Sequence, residues 1–212
     1  MSKGLFITFE GIDGCGKSTQ LKMTSERFEK DGREVMVVRE PGGTVIGEKI
    51  RGVLLDRKND SMVPMAELFL YEAARAQITE EKIRPFIDKG GIVLCDRFYD
   101  STTAYQGYAR ELGSDITDTL NKIATGGLEP DVTFVFDIDP EEALRRRMIR
   151  AEEPDRLEAM GTAFQVKVRE GYLALAEADK TGRVRVIDAS GTPDEIFAVV
   201  SDVIGKIAGD KN

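Results

Sequence analysis

Residues Gly11-Ile12-Asp13-Gly14-Cys15-Gly16-Lys17-Ser18 stand at the spacing G-x-x-x-x-G-K-S, whose chemistry is the cradling of a polyphosphate. Glycine lets the backbone curl until successive N–H groups face one anion, and a helix starting at the lysine adds the positive end of its dipole. Lys17 then bridges the β- and γ-phosphates, and the Ser18 hydroxyl serves as a ligand for Mg²⁺. The run from Gly11 through Ile12, Asp13, Gly14, Cys15, Gly16, Lys17, Ser18 and Thr19 is the expected site for ATP. Two readings attach to Cys15: a reactive thiol, since thiolates at helix N-termini have lowered pKa, or a small residue fitted into a tight loop.

A second set of residues suits an acceptor that is itself an anion. Arg39 and Arg97 each follow a strand-like run, and arginine forks match phosphate oxygens in pairs. A phosphate monoester has its second pKa at about 6, so near neutral pH it already carries nucleophilic oxygens and needs no general base. The chain, which has no histidine, fits such chemistry. The reaction then requires cancellation of repulsion between two anions, supplied by Mg²⁺, Lys17 and the arginines. Asp96, just before Arg97, either holds Mg²⁺ through water or pairs with Arg97.

Positioning these groups falls to alternating elements. Runs rich in β-branched and aromatic residues at Leu5 to Phe9, Glu34 to Arg39, Ile92 to Cys95, Val132 to Ile138 and Val184 to Ile187 predict five buried strands. Helical patterns fill the gaps: Lys17 to Lys30, Val45 to Leu55, Met65 to Asp88, Ser101 to Thr125, Glu141 to Arg150, Phe164 to Ala178 and Asp194 to Ile207. The alternation predicts an α/β fold, a five-stranded parallel sheet flanked by helices on both faces; joined to the phosphate loop and the anionic acceptor, this is the fold expected of a P-loop kinase. Ligands in such folds bind at the carboxyl ends of the strands. One domain over residues 1–212 is expected, with no internal repeat.

A net charge of −8 opposes a nucleic-acid surface, which needs clustered Lys and Arg. Two cysteines are too few for a disulfide framework, and the longest apolar runs fall short of the roughly 20 residues that span a bilayer. A cytoplasmic protein with small-molecule substrates, no nucleic acid and no membrane is expected.

Further blocks resemble the thymidylate kinases. Phe9-Glu10-Gly11-Ile12-Asp13-Gly14, Arg39-Glu40-Pro41-Gly42-Gly43-Thr44, Tyr71-Glu72-Ala73-Ala74-Arg75-Ala76-Gln77, Asp96-Arg97-Phe98-Tyr99-Asp100-Ser101-Thr102 and Ala104-Tyr105-Gln106-Gly107 stand in that family's order, with Asp155-Arg156-Leu157-Glu158 later. The resemblance implies phosphorylation of thymidine monophosphate (dTMP) by ATP, and a homodimer formed through the helices around Met65 to Asp88 and Ser101 to Thr125. By similarity, Arg97 holds the dTMP phosphate with Arg39, and Arg51 lies close by. Asp13 accepts from the sugar 3′-hydroxyl, Arg75 reads a base carbonyl, Tyr71 stacks on thymine, and Tyr105 packs under the deoxyribose. Ser101, Thr102 and Gln106 complete the base pocket, while 189–192 lines the adenine. Tyr71 departs from the family's usual Phe, and Asp13 from the Glu of many relatives.

The basic run Arg145-Arg146-Arg147 and Arg150 suits a lid, at about residues 141–158, that closes over the transferring group and stabilises its charge. With small residues at Gly14 and Cys15, the chain is similar to relatives that carry the catalytic arginine in the lid. Arg150 is the first candidate, with Arg146 and Arg147 as rivals. Two alternatives remain: a kinase of another pyrimidine nucleotide or of a deoxynucleoside, and a nucleotide-dependent switch. Asp88-Lys89-Gly90-Gly91 matches D-x-x-G but precedes a strand, and Asn121-Lys122-Ile123-Ala124 lacks a guanine-reading aspartate.

Overall fold

A computed structural model describes residues 4–149 and 154–209. Its centre is a five-stranded sheet in the order β2-β3-β1-β4-β5, made of Leu5–Glu10 (β1), Val35–Arg39 (β2), Ile92–Asp96 (β3), Val132–Asp137 (β4) and Val184–Asp188 (β5). Every pairing is parallel, as the alternation of strands and helices requires. The central strand β1 is buried along its whole length, which is why it reads as an unbroken apolar run.

Successive side chains of β1 point to opposite faces. Leu5, Ile7 and Phe9 join the larger core with Phe134, Phe136, Val168 and Tyr172. Phe6 faces the other way, into a cluster with Val38, Ile78, Val93 and Phe98. Thr8, fully buried, is satisfied by a 2.7 Å hydroxyl contact with Thr133 on β4. Register pairs Phe9 with Asp96 and Arg39 with Asp96. β3 therefore lies between the phosphate-loop strand and the strand that delivers Arg39, and its Asp96 is in register with the ends of both.

Helices α1 (Lys17–Lys30) and α2 (Val45–Leu55) have the bounds the sequence predicts. The long pattern up to Asp88 does not form one regular helix: α3 (Pro64–Ile78) passes through a wide π turn at Thr79–Ile83 into α4 (Arg84–Asp88). Pro85 explains the break, because its ring has no N–H to give and crowds the preceding turn. The stretch from Ser101 is likewise divided into α5 (Tyr99–Thr102), a π segment at Thr103–Ala109 and α6 (Ser114–Thr125). Glu111 and Gly113, at φ of 61° and 89°, interrupt it. Then follow α7 (Pro140–Ile149), α8 (Thr162–Ala178) and α9 (Pro193–Gly209). No helix among the described residues is long and apolar enough to cross a membrane.

Candidate active site

The loop between β1 and α1 depends on glycine for two reasons. Gly14 has φ 93°, and a Cβ there would collide with the Ala143 carbonyl of α7. Gly11, at φ 132°, would meet the Phe136 carbonyl of β4 at 2.6 Å. Within this loop Ile12 and Cys15 turn their side chains into the core, so they offer a ligand only backbone. Burial pushes the Cys15 thiol up, against the pull of Lys17. The reactive-thiol reading therefore loses its physical basis. Lys17 is held at the loop, its Nζ donating to the carbonyls of Gly11 at 3.2 Å and Ile12 at 3.3 Å. Ser18 and Thr19 are exposed on the first turn of α1.

Ser18 Oγ donates to Asp96 Oδ2 at 3.3 Å. Both oxygens are hard donors of the type Mg²⁺ takes alongside phosphates and water. Among the described residues no group of three His, Cys, Asp or Glu side chains could hold a metal by itself. Ser18 and Asp96 thus fit a cation that a bound nucleotide shares.

A cavity of about 220 Å³ opens next to this loop, lined by residues from both arginine blocks, the phosphate loop and α7. Arg97 has φ 68°, a conformation rare for a side-chain-bearing residue and characteristic of functional sites. Its Nη2 donates to Asp13 at 2.6 Å and its Nη1 to the Gly11 carbonyl at 2.8 Å, while the guanidinium stacks 5.1 Å from the Tyr105 ring. Burial pushes the Asp13 carboxyl up, but Arg97 and Lys17 together hold it below the usual range. Arg39 and Arg51 both donate to the Pro41 carbonyl, at 3.1 and 3.0 Å, after a cis Glu40-Pro41 bond. Burial and the neighbouring Arg39 charge lower the Arg51 pKa. The guanidinium groups of Arg39, Arg51, Arg97 and Arg147 thus line one small space together with several carboxylates, and arginine forks are the groups there that suit phosphate oxygens.

Tyr71, Ser101, Thr102, Tyr105 and Gln106 line the same cavity. The last two ride on the π segment, whose widened turn aims both at the cavity. Tyr105 carries a buried hydroxyl without a hydrogen-bond partner among the described residues, and Gln106 is anchored by Glu67 at 2.8 Å. Arg75 stands behind this wall, only 1% exposed, bonded to Glu40, Glu72 and Thr102 at 2.9, 2.6 and 2.8 Å. Arg75 is not among the described residues that line the cavity. Burying an arginine stabilises the fold only when the charge is compensated, and that is the work of Glu40 and Glu72.

On α7, Arg147 lines the cavity and pairs with Glu158 at 3.9 Å. Arg146 turns to the carbonyls of Ala189 and Ser190, at 3.0 and 3.5 Å, and Arg145 pairs with Glu142 on the surface. Arg150 lies outside the described residues. Glu10, Glu40, Asp155, Glu158 and Tyr172 are site components that the sequence reading left without a role. The first four stand inside the quoted motifs; Tyr172, on α8, has no local signal at all.

Three comparisons bear on this geometry. The family model described as thymidylate kinase matches residues 9–200. The chain is 55% identical over 204 residues to the thymidylate kinase of Thermoanaerobacter sp. (strain X514), covering 96% of this chain and 98% of that one. It is 50% identical over 202 residues to that of Caldanaerobacter subterraneus subsp. tengcongensis, covering 95% and 94%. A crystal structure of thymidylate kinase from Ehrlichia chaffeensis superposes with a TM-score of 0.78 at 31% identity, covering 95% of this chain and 98% of that one.

Proposed function

The chain belongs to the thymidylate kinase family and is a nucleoside monophosphate kinase that converts thymidine monophosphate to the diphosphate; we propose that ATP with Mg²⁺ is the donor and that the cleft described above is where transfer occurs. The observation that carries the site assignment is the convergence of Arg39, Arg51 and Arg97 on one cavity with Lys17 and the phosphate loop at its edge.

The donor polyphosphate lies along the loop from Gly11 to Thr19, where backbone N–H groups and the start of α1 receive it. Lys17, now resting on loop carbonyls, turns to the β- and γ-phosphates. Ser18 and Asp96 would hold Mg²⁺, which neutralises phosphate charge when bound. Arg97 and Arg39 grip the acceptor phosphate, with Arg51 beside them. No residue has to remove a proton, because the acceptor oxygen is already anionic.

Asp13 takes the sugar 3′-hydroxyl, Tyr105 closes the floor beneath the deoxyribose, and Tyr71 stacks on the base. Ser101, Thr102 and Gln106 line the base, with Arg75 holding Thr102 and Glu40 from behind. Arg147 is the lid arginine supported by position, and Arg150 acts with it in a segment spanning about 141–158. Exposed apolar chains on adjoining helices, Val53 of α2, Phe69 of α3 and Ile116 and Ile123 of α6, support a homodimer through these helices. The whole chain acts as one domain in the cytoplasm.

The test is ADP formation from ATP and Mg²⁺ with a panel of nucleoside monophosphates and free thymidine. Turnover with thymidine monophosphate far above the other pyrimidine nucleotides is expected. Comparable turnover with free thymidine would overturn the acceptor clamp.

A further inference from the structure

Arg97 is held in an unfavourable backbone conformation, at φ 68°, and something must offset that cost. The carboxylate of Glu10, fully buried at the end of β1, does so from two sides. Its Oε1 accepts from the N–H of Phe98, the residue after Arg97, at 2.7 Å. Its Oε2 accepts from the hydroxyls of Ser101, at 2.5 Å, and Tyr172, at 2.8 Å. Those same hydroxyls accept from Arg97 Nη1, Tyr172 at 3.0 Å and Ser101 at 3.3 Å. In its ionised form the carboxylate only accepts, so the hydroxyls that donate to it keep lone pairs for the guanidinium, and the two hydroxyls also lie 2.7 Å from each other.

Neither Glu10 nor Tyr172 is among the described residues lining the cavity, and Tyr172 is 1% exposed. Both therefore reach the cavity through the side chains they bond, Arg97 and Ser101. A buried carboxylate is costly: burial and the nearby Asp100 push Glu10 up to about 7, with the Arg97 charge and the bonds from Ser101 and Phe98 pulling the other way. A carboxylate kept at such a cost, with its bonds directed at the backbone and fork of one arginine, has a positioning task.

We propose that Glu10 and Tyr172 form a positioning unit that fixes the Arg97 guanidinium in the orientation that grips the acceptor phosphate. The unit joins the end of β1 to α8 across 162 residues of sequence. It rests on the reading of Arg97 as the phosphate clamp.

The test measures equilibrium binding of thymidine monophosphate and of free thymidine to the wild type, Tyr172→Phe, Glu10→Gln and Arg97→Ala. Thymidine has no phosphate, so a fault confined to the clamp leaves its affinity unchanged. Tyr172→Phe should weaken thymidine monophosphate roughly tenfold, the scale of a lost bond to a charged group, with thymidine within about twofold. Glu10→Gln should move affinities in the same pattern and decides the matter if Tyr172→Phe does not fold. Equal losses for both ligands, or thymidine monophosphate affinity within twofold of wild type, overturn the proposal. If Arg97→Ala also leaves thymidine monophosphate affinity intact, the clamp reading falls; if Arg97→Ala weakens it and Tyr172→Phe does not, only the positioning unit falls.

Discussion

Asp13 Oδ1 lies 2.6 Å from Arg97 Nη2 and 3.8 Å from Lys17 Nζ, so one carboxylate of the phosphate loop touches the acceptor-side and donor-side cations together. Before either anion arrives, Asp13 balances both. Since those charges hold its carboxyl below the usual range against the upward push of burial, its contribution to stability is present above the unfolded pKa and disappears as pH falls through the lower folded value. The stability advantage of wild type over Asp13→Asn should therefore be constant from neutral pH to about 5 and shrink below about 4. Thermal unfolding across that range checks it.

Glu10 works in the opposite sense. Burial first, then Asp100, raise it to about 7, so between its unfolded value and 7 the folded chain binds more protons than the unfolded one. Stability conferred by this residue then falls as pH rises through that window. Relative to Glu10→Gln, the wild type should lose stability from pH 5 to pH 7 by an amount on the order of 3 kcal/mol at most. A flat difference in urea unfolding over this range would remove the buried-carboxylate account.

Lys17 and Arg147 should separate binding from chemistry. Lys17→Ala should lower kcat by roughly a hundredfold or more, as expected for a group that stabilises transferring charge. Arg147→Ala should lower kcat at least roughly tenfold while leaving the acceptor KM near wild type. Arg146, tied to the Ala189 and Ser190 carbonyls, should instead raise the KM for ATP when changed to Ala. Steady-state kinetics with each substrate varied distinguishes the three.

Cys15 and Cys95 are both buried and free, and burial raises both thiols. Neither should react with a thiol reagent at pH 8 until the chain unfolds. Rapid native-state labelling of Cys15 would restore the reactive-thiol reading.

The parts legible in the sequence are those where local order determines local chemistry. Lys17 and Ser18 follow glycines at fixed spacing, Asp96 and Arg97 end a strand, and the alternation of strands and helices dictates a parallel sheet. Other features arise from contacts between distant elements. Tyr172 meets Glu10 only because α8, packed against the π segment and β5, brings it to the end of β1, and the enclosure of Arg75 by Glu40 and Glu72 joins residues from separate blocks. Periodicity cannot choose among Arg150, Arg146 and Arg147, since the choice depends on which side of the helix faces the cavity. The π turns at Thr79–Ile83 and Thr103–Ala109 likewise vanish from a helical pattern, which counts residues but not the width of a turn.

The central claim is that a clamp of arginines, and no general base, prepares the acceptor. Its most direct measurement is kcat/KM for thymidine monophosphate in Arg97→Ala beside wild type, at saturating ATP and Mg²⁺. A loss of roughly a hundredfold or more is expected, the scale of removing a charge-assisted phosphate contact in a water-poor site. Activity within a few-fold of wild type would contradict the account.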